Sequence, residues 1–484
     1  MLCKVHLFFC FINFAFLLNA QIDAFTHGGT DDDIGYCFAI NKQGGYVLVG
    51  TERRLENSSE DLSLIRLDDK GNVIWITNWG SSRSDIPEHI EQTQDGGYVI
   101  AGSRFDNGFI GKDGFISKIN KDGLILWLKY YGGKFTDELL SVKQTKDLGY
   151  IACGFSTSDT ITSSYGEMYL VKTDSLGNKE WETFIGEKGK DIAFDIIETS
   201  DGSFMAVGTL SGFHRYSTFE FTQTNSDLLL AKVNSNGTLI WKKQFGGNQN
   251  EIGKQIKEAP DGGFYIVGSS QSFGEGSFDV YLIKVNINGE KEWMRTFGDS
   301  GFDYGQSIDI NEHNELYITG ATNVDTITQE TDIFALKTDE NGNEIWSTYI
   351  GGNQSDYGNY IRTTSDGGCA IIGNSESIGN GGNDIFFVKI DANGLLQAIS
   401  GNEHPSLLVY PNPVNEQLNF HLQSRCKHQD YLYEIYNQRG SLVYSKTKEA
   451  SLVQIDISKL NKGVYTYTVS SPCIKMLKGN FIIH

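Results

Sequence analysis

Short apolar runs alternate with turn-forming residues along most of the chain, from about residue 25 to about residue 401. A representative run is Asp95-Gly-Gly-Tyr-Val-Ile-Ala-Gly102, and a second kind begins with an acid and ends at a base, as in Asp279-Val-Tyr-Leu-Ile-Lys284. Pairs such as Asn341-Gly342 precede further runs, and Asn-Gly is the strongest short-range hairpin signal. The pattern predicts an all-β chain of short antiparallel strands joined by tight turns.

These runs belong to seven repeats. An acid follows a Gly-Gly-like pair once in each repeat, at spacings of 52, 52, 54, 60, 52 and 53 residues. Four strand-like runs recurring at this period predict a seven-bladed β-propeller with four antiparallel strands per blade, whereas the repeats of a linear solenoid are usually shorter. The predicted blades span roughly residues 25–80, 81–133, 134–186, 187–247, 248–298, 299–352 and 353–401.

A Trp lies four residues after a Gly in six of the seven repeats and indicates packing between neighbouring blades. The seventh copy has Ala398 at this place. The segment from Ile22 to Thr26 aligns with the Trp-bearing strand, so it is predicted to complete the seventh blade and remove an open sheet edge. The segment from Leu395 to Ser400 competes for the same position, and the sequence does not decide between them.

The two ends of the chain differ from the repeats. Residues 1–20 have one Lys, an apolar core and a small residue before Gln21, which predicts a secretory signal peptide. Four of the six prolines lie beyond residue 404, and residues 405–484 carry nine Lys or Arg against five Asp or Glu. We therefore expect three segments: a leader at 1–20, a propeller at 21–404 and a C-terminal domain at 405–484.

The net charge of −21 argues against binding to nucleic acid or to an anionic membrane surface, since both reward basic patches. Beyond the leader, no stretch reaches the about 18 apolar residues of a spanning helix. Neither a metal nor a cofactor is expected, because the Cys residues lack metal-site spacing and His partners. The five Cys residues after the leader are expected to be small buried thiols, with a Cys426–Cys473 pairing left open; they are Cys37, Cys153, Cys369, Cys426 and Cys473.

The repeated acids have two interpretations. Seven carboxylates around one face would suit a cation or a glycan. An Asp just before a strand more often accepts hydrogen bonds from the N–H groups of its own turn, so we interpret the set as structural. The set consists of Asp33, Asp85, Asp137, Asp191, Glu251, Asp303 and Asp356.

Candidate binding residues come from the longest irregular segment, from Thr209 to Ser226 in the fourth repeat. We interpret it as a loop on the same face as the repeated acids, where function concentrates in segments displayed on a rigid scaffold. Exposed aromatic residues combined with Arg are typical anchors of recognition surfaces, although the same rings would also suit a lid folded over the blade. The candidate ligand-binding residues are Phe213, His214, Arg215, Tyr216 and Phe219.

No catalytic residue is assigned. The run from Asp68 to Trp75 resembles the tryptophan-docking repeat of quinoprotein dehydrogenases, but those propellers have eight blades and commonly a vicinal Cys pair, which this chain lacks. The Asp-box of sialidases is similar, but its Gly lies three residues before the aromatic residue rather than four. Nucleophile-elbow, zinc-helix and phosphate-loop motifs are absent from the sequence.

The tail carries an ordered set of motifs. They are Tyr410-Pro-Asn-Pro413, a mid-domain Gly440, the step Leu460-Asn-Lys-Gly-Val-Tyr465 and a final Lys-containing strand from Lys475 to Ile483. Together they resemble the type A C-terminal sorting domain of the type IX (Por) secretion system of Bacteroidetes. The resemblance implies a small β-sandwich that directs translocation across the outer membrane, engages the type IX machinery and is usually removed at the cell surface.

The sequence thus predicts a secreted or cell-surface propeller, exported through the periplasm, that binds a glycan or a protein. The alternative is an extracellular enzyme that acts on polysaccharide or uses a quinone. The tail motifs indicate the export route, whereas the repeats do not identify the ligand.

Overall fold

The computed structural model describes most of the chain and divides it into two compact units, residues 1–399 and residues 400–484. The described residues are 24–53, 60–80, 84–105, 111–158, 166–187, 189–215, 221–323, 330–352, 354–397, 406–410, 417–423, 431–437, 439, 441–448, 452–471 and 474–483. The predicted leader and the residues Cys426 and Cys473 lie outside them. Among the residues described, there is no helix long and apolar enough to cross a membrane.

The first unit is built from seven antiparallel sheets, as far as the structure describes it. A short strand, β1 (Phe25–His27), precedes them. The first sheet contains β2 (Ile34–Ile40), β3 (Tyr46–Arg53), β4 (Glu60–Leu67) and β5 (Val73–Trp79). The second contains β6 (Asp85–Gln92), β7 (Tyr98–Phe105), β8 (Lys112–Ile119) and β9 (Ile125–Tyr131). The third contains β10 (Asp137–Gln144), β11 (Tyr150–Ser156), β12 (Glu167–Thr173) and β13 (Lys179–Ile185).

The remaining four sheets of this unit follow the same order. The fourth contains β14 (Ile192–Glu198), β15 (Phe204–Arg215), β16 (Phe221–Val233) and β17 (Leu239–Phe245). The fifth contains β18 (Glu251–Glu258), β19 (Phe264–Ser270), β20 (Asp279–Val285) and β21 (Lys291–Phe297). The sixth contains β22 (Asp303–Ile310), β23 (Leu316–Thr322), β24 (Asp332–Thr338) and β25 (Glu344–Ile350). The seventh contains β26 (Asp356–Thr363), β27 (Cys369–Ser375), β28 (Asp384–Ile390) and β29 (Leu396–Gln397).

The sheets form a closed ring. The first strand of each sheet contacts the first strand of the next, and β26 of the last sheet contacts β2 of the first. At this junction the amide of Asn359 donates a hydrogen bond of 2.8 Å to the carbonyl oxygen of Gly35. Strands two and three of each sheet are almost wholly buried, whereas the outer strands alternate between exposed and half-buried residues. This all-β architecture is consistent with the predicted propeller.

Two segments share the outer edge of the seventh sheet. β1 pairs with β28 through Phe25–Phe387, Thr26–Phe386 and His27–Ile385. β29 pairs with the other end of the same strand, through Lys389–Gln397 and Ile390–Leu396. The two segments that competed in the sequence therefore both pair with β28, each covering a different part of its edge.

The repeated Trp residues pack between sheets, as predicted. Each ring lies against the Gly of the turn before the outer strand of the following sheet. A Cβ added at Gly123 would come within 2.9 Å of the Trp75 ring, and one at Gly177 within 2.7 Å of the Trp127 ring. The indole N–H of Trp346 donates to the carbonyl oxygen of Ala392 at 3.0 Å. Gly at these turns thus adopts a positive φ without strain, and its lack of a side chain leaves room for the neighbouring indole.

A base on the third strand, buried in six sheets and half-buried in the seventh, holds the turn between the first two strands of each sheet. In the fifth sheet Lys284 lies 2.7 Å from Asp261, which also accepts the N–H of Gly263. The first repeat has Gln43 in place of the turn Asp, and there Arg66 replaces Lys and donates to the carbonyl oxygen of Gly44 at 2.5 Å. The base therefore finds an acceptor in the turn even where the acid is missing.

The second unit contains two sheets. The first has β30 (Ser406–Tyr410), β31 (Gln417–Gln423) and β34 (Leu452–Asp456), and the second has β32 (Tyr431–Tyr436), β33 (Leu442–Lys448), β35 (Gly463–Ser471) and β36 (Ile474–Ile483). Phe420 of the first sheet packs against Tyr433 and Tyr467 of the second, with ring centroids 5.5 and 5.3 Å apart. The two sheets share one core, as the resemblance to a small sandwich implies.

Candidate functional site

The seven repeated acids lie one at each junction between sheets, and each is buried. Six of them accept a hydrogen bond from the backbone N–H four residues earlier: Gly29 to Asp33 (2.6 Å), Gly133 to Asp137 (2.7 Å), Glu187 to Asp191 (2.7 Å), Gly247 to Glu251 (2.7 Å), Asp299 to Asp303 (3.0 Å) and Gly352 to Asp356 (3.0 Å). The seventh, Asp85, lies 3.2 Å from Arg104. The carboxylates thus bond to their own connections between sheets.

A second carboxylate faces the first at some of these junctions. Burial raises the pKa of Asp384 to about 6, and the charge of Asp33 adds to the effect. Burial likewise raises the pKa of Asp332 to about 6, with Asp356 and Glu330 contributing. These junctions therefore retain a proton well above the pH at which an exposed Asp releases it.

The segment from Thr209 to Ser226 is not the predicted loop. β15 continues to Arg215 and β16 starts at Phe221, so the described part of the segment is an extended two-stranded ribbon with His214 opposite Thr222. Residues of high strand propensity, Thr and Phe, recur along both arms and favour pairing. Phe213, His214 and Arg215 lie on the first arm, whereas Tyr216 and Phe219 lie outside the described residues.

A cavity of about 380 Å³ lies instead among the first strands of the sheets. All seven sheets contribute to its wall the residue three positions after the repeated acid, and this residue differs in every repeat. The seven residues are Tyr36, Glu88, Leu140, Phe194, Lys254, Gln306 and Asn359. The volume lies in the range of roughly 300–1,000 Å³ typical of small-molecule sites.

Charged groups of opposite sign line this cavity. Burial raises the pKa of Glu88 to about 8, and the charge of Glu138 adds to the effect against the opposing charges of Lys112 and Lys254. Burial also lowers the pKa of Lys254 to about 8, although Glu88 opposes the change. Glu138 lies 3.0 Å from Lys112 in an ion pair. Near neutral pH, Glu88 is therefore mostly protonated and able to donate a hydrogen bond.

Two lysines of the cavity lie over aromatic rings. The ammonium of Lys254 is 4.0 Å from the centroid of the Phe194 ring, and that of Lys190 is 4.7 Å from the centroid of Phe155. Neither ammonium forms a salt bridge with a carboxylate in the described part of the chain. Ring faces attract cations, so both lysines are held at the wall with their charge unneutralised.

A polar network forms the floor of the cavity. Ser141 donates to Asp195 at 2.7 Å, and Lys143 lies 2.8 Å from the His89 Nε2 and 3.6 Å from Asp195. Burial holds the pKa of His89 well below its usual value, and the nearby cations act in the same direction. His89 is therefore neutral at physiological pH, and its Nε2 accepts a hydrogen bond from Lys143.

The network continues across the later sheets of the ring. Lys257 and Arg362 lie 2.8 and 3.6 Å from Asp309. Burial opposes ionisation of Asp309, but Lys257 and Arg362 hold its pKa well below its usual range. These bases have carboxylate partners, unlike Lys190 and Lys254, and the contrast places the free positive charge at the wall of the cavity.

The sequence analysis did not predict this cavity, because its candidate sites were the repeated acids and the longest irregular segment. A signal was present in the sequence. At the position three residues after each acid the repeats place Tyr, Glu, Leu, Phe, Lys, Gln and Asn, whereas the flanking motifs hardly change. The three Cys residues that the structure describes, Cys37, Cys153 and Cys369, are buried free thiols, as predicted.

Several solved structures are similar to this chain. Sqt1 of Chaetomium thermophilum bound to the N-terminus of ribosomal protein L10 has 12% identity and a TM-score of 0.46, over 83% of this chain and 97% of that one. PorZ of Porphyromonas gingivalis, a surface component of the type IX secretion system, has 10% identity and a TM-score of 0.36, over 92% and 70%. A puromycin hydrolase has 10% identity and a TM-score of 0.46, over 81% and 59%. No curated protein matches the chain.

Residues 408–483 match the Por secretion-tail family, whose description is "Secretion system C-terminal sorting domain". The match covers the last three residues of β30, all of β31 to β36 and the motifs identified in the tail. It indicates export to the cell surface or beyond, and it implies an interaction between the tail and the type IX machinery. The recognition made from the sequence is confirmed: the C-terminal segment of this chain is a type IX sorting domain.

Proposed function

We propose that this chain is a seven-bladed β-propeller exported as a binding module, whose ligand, a glycan or a protein segment, occupies the cavity among the first strands. The observation that carries the proposal is the difference between repeats at the cavity wall. Residues shared by all repeats bond within and between sheets, whereas the wall positions combine aromatic rings, amides and charges. Such a mixture of apolar surface and a few convergent polar groups is typical of ligand sites.

The repeated acids, in this proposal, serve the fold rather than a ligand. Six of the seven carboxylates accept hydrogen bonds from backbone N–H groups of the connections between sheets, and Asp85 pairs with Arg104. Phe213, His214 and Arg215 of the ribbon, together with Tyr216 and Phe219 from outside the described residues, are proposed to add contacts outside the cavity.

A glycan array followed by titration calorimetry of the hits tests this function, with the chain expressed without residues 1–20. Gln306→Ala in the wall should weaken binding by more than about fivefold, because truncating a side chain that contacts the ligand costs about 1 kcal/mol or more. Tyr349→Ala is the matched control, since Tyr349 lies on an outer strand and is 58% exposed. Saturable binding that Gln306→Ala leaves unchanged would contradict the assignment of the cavity.

We also propose that the exported form begins near Gln21 and loses residues 405–484 at the cell surface. The leader composition and the sorting domain support this processing. Intact-mass measurement of surface and supernatant fractions tests it, with a chain lacking residues 405–484 as the control that should remain in the periplasm. A surface product that still ends at His484 would contradict removal of the tail.

A second candidate function is hydrolysis of a glycosidic bond in the same cavity. Two carboxyl groups on adjacent first strands support it, because Glu88 holds a proton near neutral pH while Glu138 is ion-paired with Lys112. A glycosidase requires one protonated carboxyl group as the general acid and one ionised carboxylate as the base or nucleophile. Reducing-end release from polysaccharide hits, lost in Glu88→Gln and unchanged in Tyr349→Ala, would establish it, whereas binding without product would exclude it.

A further inference from the structure

The cavity wall carries positive charge that the rest of the protein does not balance. The chain has a net charge of −21, yet Lys190 and Lys254 both point their ammonium groups at aromatic rings of one cavity. In the described residues no carboxylate lies within ion-pair distance of either. The acid whose charge acts on Lys254 is Glu88, which is itself mostly protonated near neutral pH.

The other wall residues suit a hydroxyl-rich ligand. Gln306 offers a donor and an acceptor, and Tyr36 adds an aromatic ring. Asn359 and Ser141 offer their oxygen atoms as acceptors, since the Asn359 amide donates to Gly35 and Asn374 and the Ser141 hydroxyl donates to Asp195. Sugar rings present hydroxyl groups at their edges and C–H groups on their faces, so amides and aromatic rings together match them. A charged group of the ligand would then meet the two lysines.

We propose that the cavity binds an acidic sugar, whose carboxylate is held by Lys254 and Lys190 while its hydroxyl groups bond to Gln306, Asn359 and Glu88. This inference rests on the proposed binding function and narrows its ligand to uronic-acid-type glycans. Hydrogen bonds between ionised partners are roughly twice as strong as neutral ones, so the carboxylate supplies the discrimination against neutral sugars. Protonated Glu88 contributes a donor rather than a repelling charge.

The test compares trigalacturonic acid with neutral galactotriose by titration calorimetry at pH 6.5. The acidic sugar should bind about tenfold or more tightly than the neutral one. Lys254→Gln should remove most of this difference, and Lys190→Gln part of it, while the weak binding of galactotriose stays the same. Lys121→Gln is the matched control, because Lys121 lies in an exposed turn at 65% exposure and should change neither affinity.

The outcomes separate the two proposals. Equal affinity for both sugars, or an acidic-sugar affinity unchanged in Lys254→Gln, overturns the acidic-sugar inference and leaves the binding function standing. Binding of neither sugar, together with no hit on the glycan array, overturns the acidic-sugar inference and also the proposal that the cavity binds a glycan. A peptide bearing a free C-terminal carboxylate that binds more tightly than trigalacturonic acid also overturns the inference. Melting temperatures show whether each variant is folded, and Lys190→Gln, on an exposed connection, keeps the test decisive if Lys254→Gln unfolds.

Discussion

The outer parts of the ring and its first strands follow different rules. In the outer parts the same residues recur: Trp against the next sheet, and a buried base against the turn acid. On the first strands the backbone is the same in each repeat, but the wall position three residues after each repeated acid carries a different side chain in every sheet. A chain that needs seven similar sheets must keep the contacts that build them, whereas the wall contributes little to building a sheet. Sameness between repeats therefore marks structure, and difference marks the site.

The largest expected effect on stability comes from substituting a repeated Trp. Trp241→Ala should lower the free energy of unfolding by about 3 kcal/mol, because the indole packs against Gly289 of the next sheet and leaves a gap between sheets. Ligand affinity should not change. Ile240→Ala is the control on the same strand, where the side chain is 52% exposed, and it should cost less than about 0.5 kcal/mol. Chemical denaturation measures both, and equal midpoints would contradict the packing role.

The next effect concerns the buried base of the fifth sheet. Asp261→Ala should destabilise the protein by about 2 kcal/mol, because Lys284, which is 4% exposed, loses its closer partner and keeps only Glu292 at 4.0 Å. The double variant Asp261→Ala with Lys284→Met should recover much of this loss, since an apolar side chain needs no partner. Unfolding midpoints of the single and double variants give the answer, and a double variant no more stable than Asp261→Ala would show that the pair is not the cause.

The sequence was sufficient for the repeated features and insufficient for three others. The strand pattern, the positions of the turns and the Trp contacts follow from period and local preference, which act within a repeat. Closure was undecided because Phe25–His27 and Leu396–Gln397 are both strand-like and pair with different parts of β28. The segment from Thr209 to Ser226 was assigned as a loop from its length, although its composition favours strands.

The cavity could not be assembled from the sequence because its wall combines residues from all seven sheets, which are distant along the chain. Glu88 and Lys254 are far apart along the chain, and only closure of the ring brings them to one cavity. Burial in the cavity shifts their pKa values, and the amino-acid composition does not predict such shifts. Reading the repeats for their differences would have identified the wall positions, but not the charges that remain unneutralised there.

The pH dependence of binding tests the acidic-sugar inference on the first strands. Trigalacturonic acid should bind about tenfold more weakly at pH 9.5 than at pH 6.5, because Lys254, with a pKa of about 8, loses its charge over this range. Glu88 also ionises with a pKa of about 8 and adds repulsion, while Glu138, Lys190 and Asp195 complete the charged lining. In Lys254→Gln the pH dependence should shrink. An affinity independent of pH in the parent protein would contradict a role for either group.

A smaller effect is expected from the paired carboxylates between sheets. Asp332 has a pKa of about 6 in the folded protein against 3.8 for an ordinary Asp, so the folded state binds this proton more tightly. Its contribution to stability is complete below about pH 4 and is lost as the pH rises through 6. Asp332→Asn should therefore stabilise the protein at pH 8 by about 1 kcal/mol and change little at pH 4. Asp122→Asn, in an exposed turn, is the control that should leave the profile of melting temperature against pH as in the parent.

The smallest expected effect lies on the ribbon of the fourth sheet, which departs from the other six in length and carries Phe213 and Arg215 on its first arm. Replacing Phe213, Arg215, Tyr216 and Phe219 by Ala should weaken ligand binding severalfold, about 1 kcal/mol, because contacts at the edge of a site contribute less than those at its centre. The melting temperature should stay the same, since the ribbon extends beyond the part of the sheet that pairs in every repeat. Calorimetry and thermal denaturation of the same variant distinguish the two roles of these residues. Unchanged affinity with a lower melting temperature would mean that their side chains cover the sheet as a lid and belong to the structure rather than to the site.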